Sequence, residues 1–519
     1  MMNAEVFTAR YSVPFRALHG IVSVSVADVE AQDWIRIAQA IRTEGGRLIS
    51  IWGTDRRPLA DHYVMSAAYC AAEGLLWVRM AVGKQDGFPE LSSIFPAAER
   101  MQRMVFDLLG IPANGAEDVR PWINHGRWPD EYFPLRYQFS GLEQFDTALK
   151  AYPFVPVAGE GVHEIAVGPI HAGTIEPGHF RFSVVGEKVL RLEQRFGYAH
   201  KGTEKLFIGR PVADGARLAG RVSGDSSVAY AWAYCMASEA VGACAIPPRA
   251  QWLRALLLER ERIANHLGDL GALGNDAGLA FGLAQFTRIK EDWVRLNHRL
   301  FGHRFMMDRI VPGGVAVDPD AEDIDLLLMQ CSQVEKDVRS LQNIYEKHAG
   351  LQDRFISAGR VPPKLAAELG LCGLAGRASG QAWDARADQA ISPYAQLDVR
   401  MATHRNGDVA ARVTVRFDEV FESLRLLREI TRQLPAGPVL AVLPEIPANS
   451  LGAGWVEGWR GTLFVALETD AHGQILRCHC HDPSWQNWPV LQHAIMGNIV
   501  PDFPLINKSF NLSYSGHDL

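Results

Sequence analysis

The stretch Gly168-Pro-Ile-His171-Ala-Gly173-Thr-Ile-Glu176-Pro-Gly178-His179-Phe-Arg181-Phe, followed by Gly197-Tyr-Ala-His200-Lys201-Gly202-Thr-Glu204-Lys205, divides this chain into two parts of different character. Between the phrases, Val184/Val185 and Val189/Leu190 alternate in a way that predicts a hairpin. Beyond them, apolar residues recur at spacings of three and four. That period predicts helices from Ala229 to Ala240, Pro248 to Leu270, Leu283 to Leu300 and Ile324 to His348. Pro248 suits a first helical turn, where its missing N–H has no bond to lose. A further small unit is expected from Asp384, with a strand over Val409 to Phe417 and a helix over Val420 to Leu434. A strand pair, Gly461 to Leu467 and Gln474 to Cys480, comes near the end of the chain.

The 519 residues carry 48% hydrophobic and 21% charged side chains, as a folded protein of more than one domain does. A net charge of -7, with no basic stripe, argues against a nucleic-acid partner. Seven cysteines do not form a disulfide scaffold and agree with a reducing compartment. The opening MMNAEVFTARYSVPF lacks a basic patch followed by an apolar core, so no signal peptide is expected. No apolar run reaches the roughly 20 residues that span a bilayer. A cytoplasmic protein is expected, one that meets a membrane only through partner subunits.

The N-terminal part reads as α/β. Asp33 to Ile41 has helical period, and Arg47 to Trp52 and Leu75 to Met80 read as strands. An amphipathic helix then runs through Met101, Met104, Val105 and Leu108 to Gly110. The phrase Phe106-Asp-Leu-Leu-Gly-Ile111 and the tail Trp128-Pro-Asp-Glu-Tyr-Phe-Pro-Leu-Arg136 resemble the thirty-kilodalton subunit of respiratory complex I, a scaffold without chemistry. Residues 168–519 resemble the fold shared by [NiFe] hydrogenase large subunits and the forty-nine-kilodalton subunit of complex I. The likeness rests on the two opening phrases and on Glu259-Arg-Glu-Arg262-Ile-Ala-Asn-His266, Asp276-Ala-Gly278, Pro312-Gly-Gly-Val315, Gly376-Arg377-Ala-Ser-Gly380, Asp384-Ala-Arg386 and Glu457-Gly-Trp-Arg460-Gly461. Energy-converting hydrogenases of the formate hydrogenlyase type, which also carry a domain like the thirty-kilodalton subunit in front, are the group it resembles within that superfamily. The expected fold class is α+β. A domain of the thirty-kilodalton type covers 1–152, a linker covers 153–167, and a mainly helical domain of the forty-nine-kilodalton type, with peripheral hairpins, covers 168–519.

The resemblance implies four nickel-ligating cysteines, and this chain has Ser223, Ser226, Ser484 and Asn487 at those positions. Nickel–iron centres require soft thiolates, so the centre is expected to be absent. The emptied cavity of the complex I relative binds quinone, which makes quinone a candidate ligand, with the four positions, Asp482 and Arg386 lining the cavity. The tyrosine that contacts quinone in that family would fall near Ser223-Gly224, where this chain has no phenol. The resemblance further implies a small partner that holds a [4Fe-4S] cluster and resembles the twenty-kilodalton subunit of complex I, a ferredoxin-like subunit and antiporter-like membrane subunits. Peripheral attachment to the cytoplasmic face of the inner membrane follows from those partners.

Several residues are candidates for chemistry. His171 and His179 either relay protons or fasten the hairpin. Glu204 either passes protons, as its family counterpart does, or pairs in the interior with an arginine such as Arg221 or Arg249. Asp225 and Asp482 are candidates for binding a cation or orienting a water, and two facing carboxylates would raise one pKa. Asp276 is a further cavity or interface group. The run Cys478-His479-Cys480-His481 alternates along a strand and cannot wrap one tetrahedral zinc, so it reads as ordinary strand. With no C-x-x-C pair, the chain is expected to hold no iron–sulfur cluster. Hydrogenases that mature by proteolysis cut at a histidine or arginine after the second cysteine pair. Val490 stands there, so the tail to Leu519 is expected to be retained. Three functions remain: an oxidoreductase subunit of NADH:quinone oxidoreductase type that handles quinone or another acceptor with proton coupling, a working hydrogenase or formate hydrogenlyase subunit, and a scaffold.

Overall fold

In the N-terminal domain, Trp34, Ile37, Ala38 and Ile41 form one buried face of helix α1 (Ala31–Thr43), which follows strand β1 (Val24–Val29). An antiparallel meander comes next: β2 (Arg47–Asp55), β3 (Tyr63–Ala71) and β4 (Gly74–Val82). β1 adds to it parallel to β4, and the short strand Arg16–Ala17 pairs outside β1. β1 and β3, which the sequence reading did not pick out, complete this sheet. Its central strands are buried on both faces, so apolar residues fill both faces instead of alternating, with Ser66 and Arg79 as the polar exceptions. Helix α2 (Ala98–Leu109) packs Met101, Met104, Val105 and Leu108 inward and ends at Gly110, whose φ of 71° closes the helix. This computed structural model describes residues 4–71, 74–147 and 151–519. The first three residues of the N-terminal reading lie outside it.

The second domain opens with a three-stranded antiparallel sheet: β5 (Val162–Val167), β6 (His179–Val185) and β7 (Lys188–Arg195). The expected hairpin is β6–β7. Strand β5 comes from the segment read as linker, so part of 153–167 is sheet, and His171 and Glu176 sit in the β5–β6 loop. After the short helix α3 (Thr203–Phe207) come α4 (Ser227–Val241), α5 (Pro248–Asp276), α6 (Ala280–Phe301) and α7 (Ala321–Lys347), close to the spans read from periodicity. All of α4 is buried, which explains why it is apolar all round.

Residues Val409–Phe417 are helix, not strand, and belong to α8 (Val409–Gln433). Val413, Val415 and Phe417 mimic a period of two, but Val409, Val413, Phe417, Val420, Leu424 and Leu427 recur at four and three. Asp408 accepts a hydrogen bond from Ala411 N at 2.8 Å and caps the helix. The last sheet joins β8 (Leu451–Glu457), β9 (Thr462–Thr469) and β10 (Ile475–His481), all antiparallel, and helix α9 (Ser484–Ala494) follows. One continuous cluster of buried apolar side chains spans both domains, reaching from Phe7 to Leu519, and a small second cluster gathers Leu374, Ala378, Ala411 and Val415. Among the described residues no helix is long and apolar enough to cross a membrane.

The turn between β8 and β9 is held by a near contact of two glycine backbones. Gly373 has φ 61°, and a Cβ there would lie 1.8 Å from Arg460 O. Gly370, three residues earlier, has φ 73° with nothing within 4 Å. Gly373→Ala is therefore expected to lower unfolding stability by about 3 kcal/mol, combining left-handed strain with overpacking. Gly370→Ala carries the strain alone and should lower it by about 1 kcal/mol. Denaturant midpoints of the two variants measure the difference, and equal midpoints would refute the close contact.

Candidate functional site

Two stretches meet at the ends of α4 and α9. The first, residues 221–226, leads into α4, whose first turn is held from α5: Glu261 accepts hydrogen bonds from Val228 N at 2.7 Å and Ala229 N at 3.2 Å. The second leaves β10 at Asp482, which accepts from Ser484 N at 2.8 Å and from the Tyr230 hydroxyl at 2.9 Å. Ser513 in the C-terminal segment joins the two. Its Oγ lies 2.9 Å from Ser223 Oγ, its N–H donates to Ser484 Oγ at 2.9 Å, and its carbonyl accepts from Trp488 Nε1 at 3.2 Å. Asn487 faces Cys372 instead, accepting from Cys372 N at 3.1 Å. The Cys372 Sγ is 3.5 Å from the same amide oxygen, and burial pushes this thiol up to about 12. Ser223, Ser226, Ser484 and Asn487 are each no more than 2% exposed.

Asp225 does not face Asp482 across a cation site. Arg460, at the β8–β9 turn, takes the Asp225 carboxylate with both terminal nitrogens, one at 2.8 Å, and Ser223 Oγ donates to it at 2.8 Å. Burial pushes the Asp225 carboxyl up, but Arg460 outweighs it and brings the value down to about 2, opposite to the rise expected for facing carboxylates. The pair sits at the edge of the protein: Asp225 is 39% exposed and Arg460 5%. Among the described residues no group of three or more His, Cys, Asp or Glu side chains is placed to hold a metal ion.

The other predicted residues lie around this centre or away from it. The β5–β6 loop reaches the C-terminal segment twice, through His171 Nε2 at 3.2 Å from the Tyr514 hydroxyl and through Glu176, which accepts from Ser515 N at 3.0 Å. His179 points elsewhere, with Nδ1 3.2 Å from Gly168 O, onto a cleft of about 600 Å³ that Tyr152, Tyr198 and His200 also line. Asp276 is half-buried at the end of α5, and burial raises its pKa. Arg386 is buried in ion pairs: it donates to Asp384 at 3.1 and 2.7 Å and to Glu259 at 3.2 and 3.1 Å. Glu204 is paired, but with neither Arg221 nor Arg249, which bind Asp308 and Asp318. Its partners are Arg477 Nη2 at 2.8 Å and His479 Nδ1 at 2.7 Å. On β10, Arg477, His479 and His481 share one face, and Cys478 and Cys480 are buried on the other. His517 stacks on Trp485 at 4.0 Å, and Leu519 O accepts from Lys201 N at 2.9 Å.

Ser513, Arg460 and Arg477 were not singled out as site residues by sequence reasoning, and His479 entered only in the zinc reading that was set aside for ordinary strand. The charged residues had a signal: an arginine and a histidine inside apolar strand text must be buried with partners. Ser513 had none, since its role depends on two segments far away in the chain. Burial pushes the Glu204 carboxyl up, and Arg477 and His479 overcome this to bring it to about 2 from an ordinary 4.5. A carboxyl depressed on folding stabilises above its unfolded pKa, and that stability is lost as pH falls from about 4.5 toward 2. Glu204→Gln should cost about 3 kcal/mol at neutral pH by stranding Arg477. Urea titrations at neutral pH and at about pH 3 should show the gap between variant and parent narrowing in acid; a constant gap would rule the pairing out as its source.

Comparison with known proteins accords with this architecture. The family pattern of the respiratory-chain NADH dehydrogenase 49 Kd subunit matches residues 276–452, and that of the 30 Kd subunit matches residues 27–144. Formate hydrogenlyase subunit 5 of Escherichia coli (strain K12) is 30% identical over 92% of this chain and 85% of its own length. The carbon monoxide-induced hydrogenase of Rhodospirillum rubrum is 31% identical over 67% of this chain and 97% of its own. A chain of the membrane-bound sulfane sulfur reductase, an archaeal respiratory membrane complex, superposes with a TM-score of 0.66 at 25% identity, covering 70% of this chain and 100% of that one. The chain thus belongs to the family of hydrogenase and complex I large subunits of the forty-nine-kilodalton type, with a domain of the thirty-kilodalton type fused ahead of it.

Proposed function

We propose that this chain is the large subunit of a membrane-associated, complex I-like oxidoreductase that works without a nickel–iron centre. The observation that carries this reading is the sulfur-free, hydrogen-bonded state of Ser223, Ser226, Ser484 and Asn487, with Ser513 lodged between the two stretches. Serine hydroxyls ionise far above neutral pH, and an amide oxygen is a hard, neutral donor. The bordering thiol, Cys372, is protonated, and Cys478 and Cys480 face away toward α4, where burial raises Cys478 well above its ordinary value. This donor set does not fit nickel, which weighs against a working hydrogenase.

The edge formed by exposed Gly224 and partly exposed Asp225, with buried Arg460 behind them, is the face on which a partner's [4Fe-4S] subunit would bring electrons to the site. A quinone, or a sulfur species as in the sulfane sulfur reductase named above, is the acceptor class. Glu204 and His171 supply ionisable groups on either side for proton coupling. Attachment is peripheral, on the cytoplasmic face, through iron–sulfur, ferredoxin-like and membrane-arm partners. The stacking of Trp485 on His517 favours a second reading, a scaffold, because it fills the interior beside the serines.

Native co-purification from membranes, with metal and small-molecule analysis, separates these readings. The expected preparation contains iron from the partner, stoichiometric quinone and no nickel. Nickel at one atom per complex would refute the reading; intact assembly with neither quinone nor acceptor reduction would favour the scaffold.

A further inference from the structure

Strand β2 carries an irregularity just before Ser50: the pairing steps from Leu48 opposite Tyr69 to Ser50 opposite Ala68. A bulge of this kind re-aims the side chains that follow it. Ser50 and Trp52 both emerge against His479 on β10. Ser50 Oγ lies 2.7 Å from His479 Nε2, and Trp52 stacks on the imidazole at 4.8 Å and 11°. His479 Nδ1 in turn lies 2.7 Å from Glu204 Oε1, while Arg477 holds Glu204 Oε2 at 2.8 Å. Serine, histidine and glutamate from three elements, one of them in the N-terminal domain, make an unbroken chain in the interior.

The chemistry of the partners places the protons. Glu204 is ionised at neutral pH and can only accept, so His479 carries its hydrogen on Nδ1. Burial pushes the His479 pKa down, so the ring is neutral and Nε2 keeps a lone pair that the Ser50 hydroxyl fills. The same order of groups activates serine toward acyl carbon in hydrolases. Here Ser50 is 1% exposed, and the adjoining cavity, lined by Ser50, Glu204, Arg477, His479 and Trp485, measures about 20 Å³. That is room for about one water and for no acyl substrate.

The geometry points to a proton relay that crosses the domain boundary, from a cavity water through Ser50 and His479 to Glu204. It rests on the reading above in which Glu204 handles protons, and it adds two residues, one of them from the domain read as scaffold. In one passage Ser50 Oγ takes a proton from the protonated water as its own hydroxyl proton moves to His479 Nε2. The Nδ1 proton moves to Glu204 Oε1. One proton enters, one arrives on the carboxylate, no bond to carbon changes, and the ring is left in its other tautomer. Arg477 and His481 are the other charged or titratable groups beside the ring on β10, and burial lowers the His481 pKa to about 3.

Redox-induced infrared difference spectra of the native complex test this, with the partner's clusters reduced at an electrode and their reduction followed by paramagnetic resonance. Electrons on the partner's clusters add negative charge, which favours proton uptake by Glu204 against the pull of Arg477, so wild type should show a carboxylic C=O band on reduction that shifts in D₂O and is missing in Glu204→Gln. Ser50→Ala should still reduce the clusters but form that band about tenfold more slowly or not at all; Ser50→Thr should restore it. A Ser50→Ala complex with the wild-type band and rate overturns the relay while leaving the Glu204 reading in place. A Glu204→Gln spectrum identical to wild type removes both. Imidazole ¹⁵N shifts in the full chain, assigned with His479→Gln, give an independent check, and a proton on Nε2 at neutral pH overturns the relay.

Discussion

The buried ion cluster of Arg262, Arg377 and Arg386 with Glu259, Asp384, Glu419 and Glu457 is the constraint on which the second domain depends. Arg377 reaches Glu419 at 2.7 Å and Glu457 at 2.8 Å, and Arg386 spans Asp384 and Glu259. Tyr394 and Ser423 donate to Glu259, each at 2.6 Å, and His266 sits 2.8 Å from Glu419. Three guanidiniums face four carboxyls. Burial, with Asp384 adding to it, raises the Glu457 pKa, while Arg377 works against the rise. Removing one partner from such a set strands the others, at roughly 3–5 kcal/mol.

The same cluster places the site. Arg262 donates to the carbonyl of Gly458 at 3.0 Å, which anchors the β8–β9 turn to α5. Arg460 follows two residues later and delivers its charge to Asp225, and Asp225 orients Ser223. The C-terminal segment then closes over the serines from the opposite side. Across the domain boundary, Arg477 donates to Gly53 O at 2.9 Å and Gln486 to Ile49 O at 2.6 Å. Apolar packing alone tolerates several placements of two domains, whereas directional bonds made in a low dielectric select one. The N-terminal domain is in this sense a wall of the site.

The helical half of the fold was readable because its signals are local. Three- and four-residue spacing marks α4 to α7, and Gly110 marks the end of α2. Reading broke down where burial on all sides erased the contrast. In α8 the buried face includes Arg412 and Arg416, whose partners Ser509 and Asp269 lie far off in the chain, so its period was taken for that of a strand. Strand β3, buried along its whole length, shows no alternation for the same reason. Glu204 was recognisable as a buried carboxylate, but its partner was not, because several arginines were equally plausible by sequence distance.

The identity of the family, and the presence of Ser223, Ser226, Ser484 and Asn487, were written in the order of residues, since backbone phrases and side-chain types are properties of the chain itself. Which charge meets which was not. Arg460 with Asp225, Arg477 and His479 with Glu204, and Ser513 between Ser223 and Ser484 join residues separated by 235, 273, 275, 290 and 29 positions. A hydrogen bond depends on a few tenths of an ångström and on direction. Such precision arises only once packed helices and sheets have fixed both ends, so those pairings belong to the folded molecule.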